Sequence, residues 1–522
     1  MDTTSFVRQF TLINTARRVL TLRALFIAIV LYGGILFWIA PRPPMVDIPQ
    51  HAAQIATLHD MLLGGSPWQR ILAVNLFTPY LIGYGLALAL SFVMPVAAAI
   101  KLALMLSYYT FVFACVLLRR RFGGDARLDW LFLPPFFGLS YQWGFYPFMM
   151  AVPLGLLYLL LALRHADRPS RSTGGWLLLA GVILFFAHGL IFLVANAIGA
   201  AFVLVRSRGR RLSEIAVALI PYAGFALLCV AYVVLNDNAQ SAYQLGILGH
   251  EPRLFIHRGA MLFMATWGAA FSQKWATVLA TLLTLATAHM LGLRPNRREP
   301  AAFVPLVVLL AYWFLVPTVA MNTHFVYERF AVYVLPFYAF LFVRREHSGR
   351  GMEARRHRDL ACQVALALIC IAFFGLQTKR SLAFATESAN FERVLAAAEP
   401  HQRALMLPMD PRSPAADNPN AYLHYAAWYQ ADKQGLVDFN FAEFLEQVVR
   451  YREGHTLREA PDRLSWMPGI FSWKNDHGAD YRYFFVRESG SLPPALLTNR
   501  LCPLTLLEKS GSWSLYENRQ CH

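Results

Sequence analysis

Apolar runs of about 20 residues alternate with short arginine clusters as far as residue 377 of this 522-residue chain, a pattern that favours a bundle of membrane helices. A run of that length, coiled as a helix, crosses a hydrocarbon core of about 30 Å. In lipid the backbone must satisfy its own polar groups, which leaves helices or closed barrels. The runs predict eleven spans, at 22–40, 96–118, 126–142, 149–163, 175–188, 189–205, 213–235, 275–293, 301–320, 330–343 and 360–377. The clusters are Arg17-Arg18, Arg119 to Arg121, Arg164 to Arg171, Arg206 to Arg211, Arg294 to Arg298 and Arg344 to Arg358. With a cytoplasmic N-terminus, eleven spans put every cluster on the cytoplasmic side, as the positive-inside rule requires.

That placement needs the apolar segment 71–93 not to cross. Residues 41–95 are therefore expected to form an external loop containing juxtamembrane helices, its second half interfacial or re-entrant and broken at Pro79 and Pro95. The alternative counts 76–93 as a span. The 175–205 run makes two spans only if the chain folds back near His188-Gly189; one tilted helix there would invert everything downstream. Composition agrees with a polytopic protein, since 15% of residues are charged against about 25% in soluble chains. The net charge of +16 sits in the loop clusters rather than on a basic face interleaved with aromatics, so nucleic acid is not an expected partner. The N-terminal region lacks a small-residue cleavage site, and the first span should remain as an anchor.

Residues 1–377 thus read as a transmembrane domain, and 378–522 as a C-terminal soluble α/β domain on the periplasmic side. Ala404 to Met409 and Tyr481 to Arg487 read as strands, Ala442 to Tyr451 as a helix, and Leu504 to Tyr516 as a hairpin turning at Gly511. The tail is long enough for its own small core. Cys115, Cys229, Cys362 and Cys370 lie in apolar spans and read as buried hydrophobes. Cys502 and Cys521 lie in the tail and are expected to form a disulfide, the alternative being two free thiols.

Asp47 is the leading candidate for chemistry, in the stretch Pro41-Arg-Pro-Pro-Met-Val-Asp-Ile-Pro-Gln-His51 past the first span. A carboxylate beside the bilayer can act as a general base on an acceptor, or ligate a metal. Asp47 with Gln50 also fits a D-x-x-Q capping box, with Pro49 in the first turn of a helix reaching about Leu63. Base and cap are both open here, and a helix N-terminus favours an ionised carboxylate in either case. His51, four residues on, shares that helix face. A second group is Asn322-Thr-His-Phe-Val-Tyr-Glu-Arg-Phe330, where Arg329 can hold a lipid phosphate bidentately with support from Glu328, His324 and Tyr327; the plainer reading anchors a helix end on an Arg329–Glu328 pair. Gln142 and Trp143, in an aromatic external turn, can contact a sugar, although aromatic belts are ordinary at interfaces. Arg258 is a further phosphate candidate. No nucleotide loop, H-E-x-x-H, C-x-x-C or G-x-S-x-G motif occurs.

The Asp47-Ile-Pro-Gln-His51 segment, non-crossing first-loop helices, Gln142-Trp-Gly-Phe145, Glu328-Arg329-Phe330 and the soluble C-terminal part together resemble the GT-C superfamily of integral membrane glycosyltransferases. The resemblance covers nearly the whole chain and lies in architecture more than in any motif. It implies a polytopic α-helical fold in the inner membrane. It further implies a polyprenyl-phosphate-linked sugar donor, a lipid, glycan or protein acceptor, transfer with inversion, and Asp47 as the catalytic residue. Metal-dependent members carry an acidic pair; here Asp47 has no adjacent acid, so a divalent metal would need Glu328 or Glu251 to complete its site across a cavity. Two other classes compete: a transporter or flippase for a lipid-linked glycan, which charges buried mid-span would favour and for which Lys101 is the main candidate, and a non-catalytic assembly subunit of the same architecture.

Overall fold

A computed structural model describes residues 3–235, 252–268, 273–320, 323–344, 352–454, 463–490, 502–519 and 521; Glu251 and Asn322 lie outside them. In chain order the helices that frame the molecule are α1 (Thr3–Ile39), α2 (Ile48–Leu62), α3 (Leu81–Ser91), α4 (Val96–Arg121), α5 (Leu139–Trp143), α6 (Tyr146–Asp167), α7 (Arg171–Ala187), α8 (Gly189–Val205), α9 (Leu212–Leu235), α10 (Pro252–Trp267), α11 (Lys274–Met290), α12 (Val304–Leu315), α13 (Val334–Ala339) and α14 (Met352–Ala397). Among the described residues, five helices are long and apolar enough to cross a membrane: Thr21–Ile39 of α1, α4, α6, Leu212–Tyr232 of α9 and His357–Ala397 of α14. The α3, α7 and α8 helices are apolar but shorter.

The first loop holds α2, the strand Leu72–Val74 and α3. At 11 residues α3 is about 16 Å long, too short to cross. The 175–205 run does break: His188 is extended (φ −169°, ψ 121°), and its Nδ1 accepts the Leu190 N–H at 3.2 Å, capping α8.

Two expected spans are corrected. Segment 126–142 is not a continuous helix but two 3₁₀ turns, Ala126–Phe132 and Pro134–Phe137, followed by α5. Pro134 and Pro135 remove backbone donors there. The irregular backbone survives because Leu128, Leu131, Phe132 and Phe137 are buried in protein rather than lipid. Likewise 330–343 consists of a 3₁₀ turn Glu328–Tyr333, the six-residue α13, and a short strand Phe342–Val343 paired with Arg294–Pro295.

The helix α14 has 46 residues and runs about 69 Å without a break at residue 377. Beyond it stands a five-stranded sheet ordered Leu504–Ser510, Trp513–Asn518, Tyr483–Arg487, Arg403–Pro408, Leu436–Asp438. The last two pairings are parallel and the first two antiparallel. Both faces of the Arg403–Pro408 strand are covered. Leu405 and Leu407 pack with Phe471 and Phe484, while Ala404 and Met406 join the core that continues into the helical bundle. Cys502 and Cys521 are disulfide-bonded, with Cα atoms 5.7 Å apart.

The helix expected at 442–451 is absent; a 3₁₀ turn Phe441–Glu443 leads to a strand Val449–Tyr451, which pairs antiparallel with Leu72–Val74. Tertiary hydrogen bonds override the local pattern. Gln50 Nε2 donates to the Phe439 carbonyl (2.7 Å) and its Oε1 accepts Phe441 N–H (3.1 Å). One turn along α2, Gln54 does the same for Val449 (3.1 and 2.9 Å). Arg42 adds a two-pronged contact to Glu392 (2.5 and 2.9 Å), with Asp432 at 2.8 Å. The first loop and the C-terminal sheet region are thereby locked together.

Candidate active site

Asp47 is positioned from below and from the side. Lys101 Nζ donates to the carbonyls of Ala40 (3.3 Å) and Pro41 (3.1 Å), fixing the exit from α1. That contact places the Lys101 charge at the C-terminal end of α1. From the side, the last two residues of α5 accept two backbone bonds: Val46 N–H to the Gln142 carbonyl at 3.2 Å and Asp47 N–H to the Trp143 carbonyl at 2.8 Å. Gly144 closes the turn that follows with φ +75°. A Cβ there would sit 3.1 Å from the Ile48 nitrogen and from Met45 Cβ. Gly144→Ala is therefore expected to lower stability by about 1–3 kcal/mol, seen as an earlier thermal unfolding midpoint with transfer activity also reduced; an unchanged midpoint would show that the turn tolerates a side chain.

The capping box is not formed. Asp47 stands at the N-cap of α2 in an αR conformation (φ −94°, ψ −8°) and its side chain makes no capping bond, while Gln50 is engaged with the 439–441 backbone. Among the described residues the carboxylate has no hydrogen-bond partner, and its side chain is 13% exposed. Burial pushes its pKa up to about 8, with the charge of Arg329 pulling the other way. His424 Nε2 lies 3.7 Å from Asp47 Oδ1. Burial holds His424 near pKa 3, so the imidazole is neutral at physiological pH, and at that distance the contact is neither a hydrogen bond nor a working ion pair.

Arg329 is 6% exposed. Its Nε donates to the Phe325 carbonyl at 3.0 Å and one terminal nitrogen to the His324 carbonyl at 2.6 Å. Its guanidinium carbon lies 4.1 Å from the centroid of the Phe145 ring. Phe325 has a left-handed backbone (φ +56°), an uncommon state for a non-glycine residue. Among the described residues no carboxylate comes within 4.0 Å of Arg329. The alternative Arg329–Glu328 pair is not formed: Thr318 donates its hydroxyl to Glu328, whose other oxygen is buried without a hydrogen bond among the described residues. Arg329 is close enough to Asp47 for each to perturb the other's charge.

Other expected site residues divide. His51 is 4% exposed, its Nδ1 2.5 Å from the Tyr84 hydroxyl, which donates to Gln447 Oε1 at 2.7 Å. Burial first, then His424 and Arg329, hold His51 near pKa 3, so His51 reaches the Asp47 cluster as a neutral ring. Gln142 and Trp143 contribute carbonyls. The Gln142 amide donates to Gly268, and the Trp143 ring lies 4.6 Å from Phe325 and 6.4 Å from Trp466. His324 offers its carbonyl and leaves its side chain exposed. Arg258 and Tyr327 are not brought into the cluster: Arg258 donates to the carbonyls of Trp313 and Val316 (2.8 Å each) at the end of α12 and stacks on Tyr327. Sequence reasoning missed His424, Tyr80, Tyr84 and Glu446. Tyr80 and Tyr84 feel the charges of Asp47 and Glu446, and the Glu446 carboxyl is raised by burial. Among the described residues no three His, Cys, Asp or Glu side chains are grouped to hold a metal ion.

No protein-family model matches the chain, and no curated protein matches it. Among solved structures, it is similar to ArnT from Cupriavidus metallidurans bound to undecaprenyl phosphate, at 11% identity with a TM-score of 0.54, over 94% of this chain and 97% of that one. At that identity the likeness speaks for the fold alone, which is ArnT-like. With its apolar helices, the chain is a multi-pass membrane protein.

Proposed function

We propose that this protein is a membrane glycosyltransferase that moves a sugar from a polyprenyl-phosphate carrier to an acceptor hydroxyl at the outer face of the membrane. The observation that carries the reading is the buried guanidinium of Arg329. It has no counter-carboxylate among the described residues and stands across from a buried, uncapped Asp47. A buried cation is stable only with an anionic partner or many acceptors, and a lipid phosphate would complete it. Undecaprenyl phosphate bound to the similarly folded ArnT supports that choice of anion.

In the reaction, ionised Asp47 takes the proton of the acceptor O–H. The acceptor oxygen attacks the anomeric carbon from the face opposite the phosphate. The bond from that carbon to the phosphate oxygen breaks, and its electron pair leaves on the phosphate. Arg329 meets the charge that develops there, in a site already organised before substrate arrives. Neutral His424, from the C-terminal sheet region, borders Asp47, and Tyr80 and Tyr84 lie near enough to feel its charge.

A base with a free-enzyme pKa near 8 has a pH signature. Below that pH the carboxyl is protonated and cannot accept the acceptor proton, so kcat/KM should rise with pH through about 8 and level off above it. Arg329 holds that carboxyl down, so Arg329→Gln should move the rising limb to higher pH. Transfer from radiolabelled undecaprenyl-phosphate sugars by purified protein, measured from pH 5 to pH 10, tests the reading. A wild-type profile flat across that range would contradict a base role for Asp47.

A further inference from the structure

At the other end of α6, about 33 Å of helix from Tyr146, a cavity of about 570 Å³ is lined by Arg121, Leu160, Arg164, Asp167 and Arg168. Its charge does not balance. Asp167 is already engaged: Arg121 pairs with it directly, Arg206 Nε lies 3.0 Å from its Oδ1, and its carbonyl accepts Arg210 Nη2 at 2.9 Å. Arg206 pairs in addition with Glu299 at 2.5 Å. Arg164 and Arg168 have no carboxylate within 4.0 Å among the described residues. The C-termini of α4 and α6 each offset about half a charge, which leaves the three lining arginines in excess over the single acid. One nitrogen of neighbouring Arg210 is also buried without a hydrogen bond.

We propose that this cavity is a second anion site, separate from the Asp47–Arg329 cluster, that binds a phosphate ester or free phosphate. Two unpaired guanidiniums suit phosphate because each planar fork can grip two of its oxygens. The half-buried Leu160 forms an apolar wall on the membrane side of the arginines. A phosphodiester headgroup would place its phosphate on Arg164 and Arg168 and its first methylenes on Leu160. Inorganic phosphate would use the arginines alone. Arg164 and Arg168 are exposed at the mouth of the cavity, so an anion from solution or from the membrane surface can reach both guanidiniums at once.

The test uses the full-length protein in nanodiscs of phosphatidylcholine carrying a small fraction of fluorescent phosphatidylglycerol, with inorganic phosphate titrated as competitor. Wild type should enrich phosphatidylglycerol over a fluorescent phosphatidylcholine control, and Arg164→Gln/Arg168→Gln should lower that preference about tenfold or more. The Arg164→Lys/Arg168→Lys variant, which keeps the charge but not the fork, should keep only part of that preference and controls for loss of folding. Displacement by millimolar phosphate, or thermal stabilisation by phosphate alone, assigns the site to the free anion. Resistance to phosphate with lipid preference intact assigns it to the headgroup. No preference for either in wild type, or an unchanged preference in the double Gln variant, overturns the proposal. Because no outcome depends on sugar transfer, it leaves the Asp47 reading untouched.

Discussion

Asp47→Asn is expected to lower sugar transfer by about a thousandfold, while the folded protein becomes more stable rather than less. The loss follows from removing a positioned base, which contributes about a hundred- to ten-thousandfold to proton transfer. The gain follows from burial. The carboxyl titrates near pH 8 when folded and near 3.9 when unfolded. Between those values the unfolded chain releases a proton that the folded one retains, so stability falls as pH rises through this window and is lowest above pH 8. Asn has no charge to bury and escapes a penalty on the order of 5 kcal/mol at alkaline pH. Thermal unfolding of both forms at pH 5 and pH 8.5 checks the sign. The advantage of the Asn variant should be larger at pH 8.5. If the variant unfolds earlier than wild type at both, Asp47 is a structural element of α2 and not a reactive group.

Arg329→Gln is expected to cut kcat/KM about a hundred- to a thousandfold, corresponding to about 2.7–4 kcal/mol of lost stabilisation for charge developing on the leaving phosphate. Donor binding should weaken as well, since the phosphate is present in the ground state. Arg329→Lys should recover only part of the loss, because an ammonium cannot keep both carbonyl contacts to His324 and Phe325 and still offer a flat fork. Equilibrium binding of undecaprenyl phosphate alongside turnover separates the two effects. Full activity in Arg329→Gln would remove the phosphate role.

Much of the architecture could be read from periodicity, because long apolar helices report on lipid through composition alone. The helix following Asp47 was legible from Pro49 and the apolar spacing, and the break at His188-Gly189 from the length of the run. Segment 126–142 looked like an ordinary span because its residues are as apolar as lipid-facing ones; nothing local says that protein, not lipid, surrounds them. The strand at Val449–Tyr451 was invisible for a related reason, since its partner Leu72–Val74 and the Gln50 and Gln54 amides lie in a distant part of the chain. The site divides along the same line. Asp47 and Arg329 stood out as charges at the ends of apolar runs. His424 and Glu446 come near Asp47 and Arg329 only through tertiary folding and carry no local signal. The capping box illustrates the converse error: spacing suggested that Gln50 serves Asp47, whereas its amide bonds the Phe439–Phe441 backbone.

The most direct measurement is release of undecaprenyl phosphate from a panel of undecaprenyl-phosphate-linked sugars by purified protein in nanodiscs, wild type beside Asp47→Asn. Wild type should release the carrier from at least one donor, and Asp47→Asn should bind that donor with similar affinity but release almost none. Equal release by the two proteins, or donor binding by wild type without release under any acceptor supplied, would contradict a glycosyltransferase built on this carboxylate.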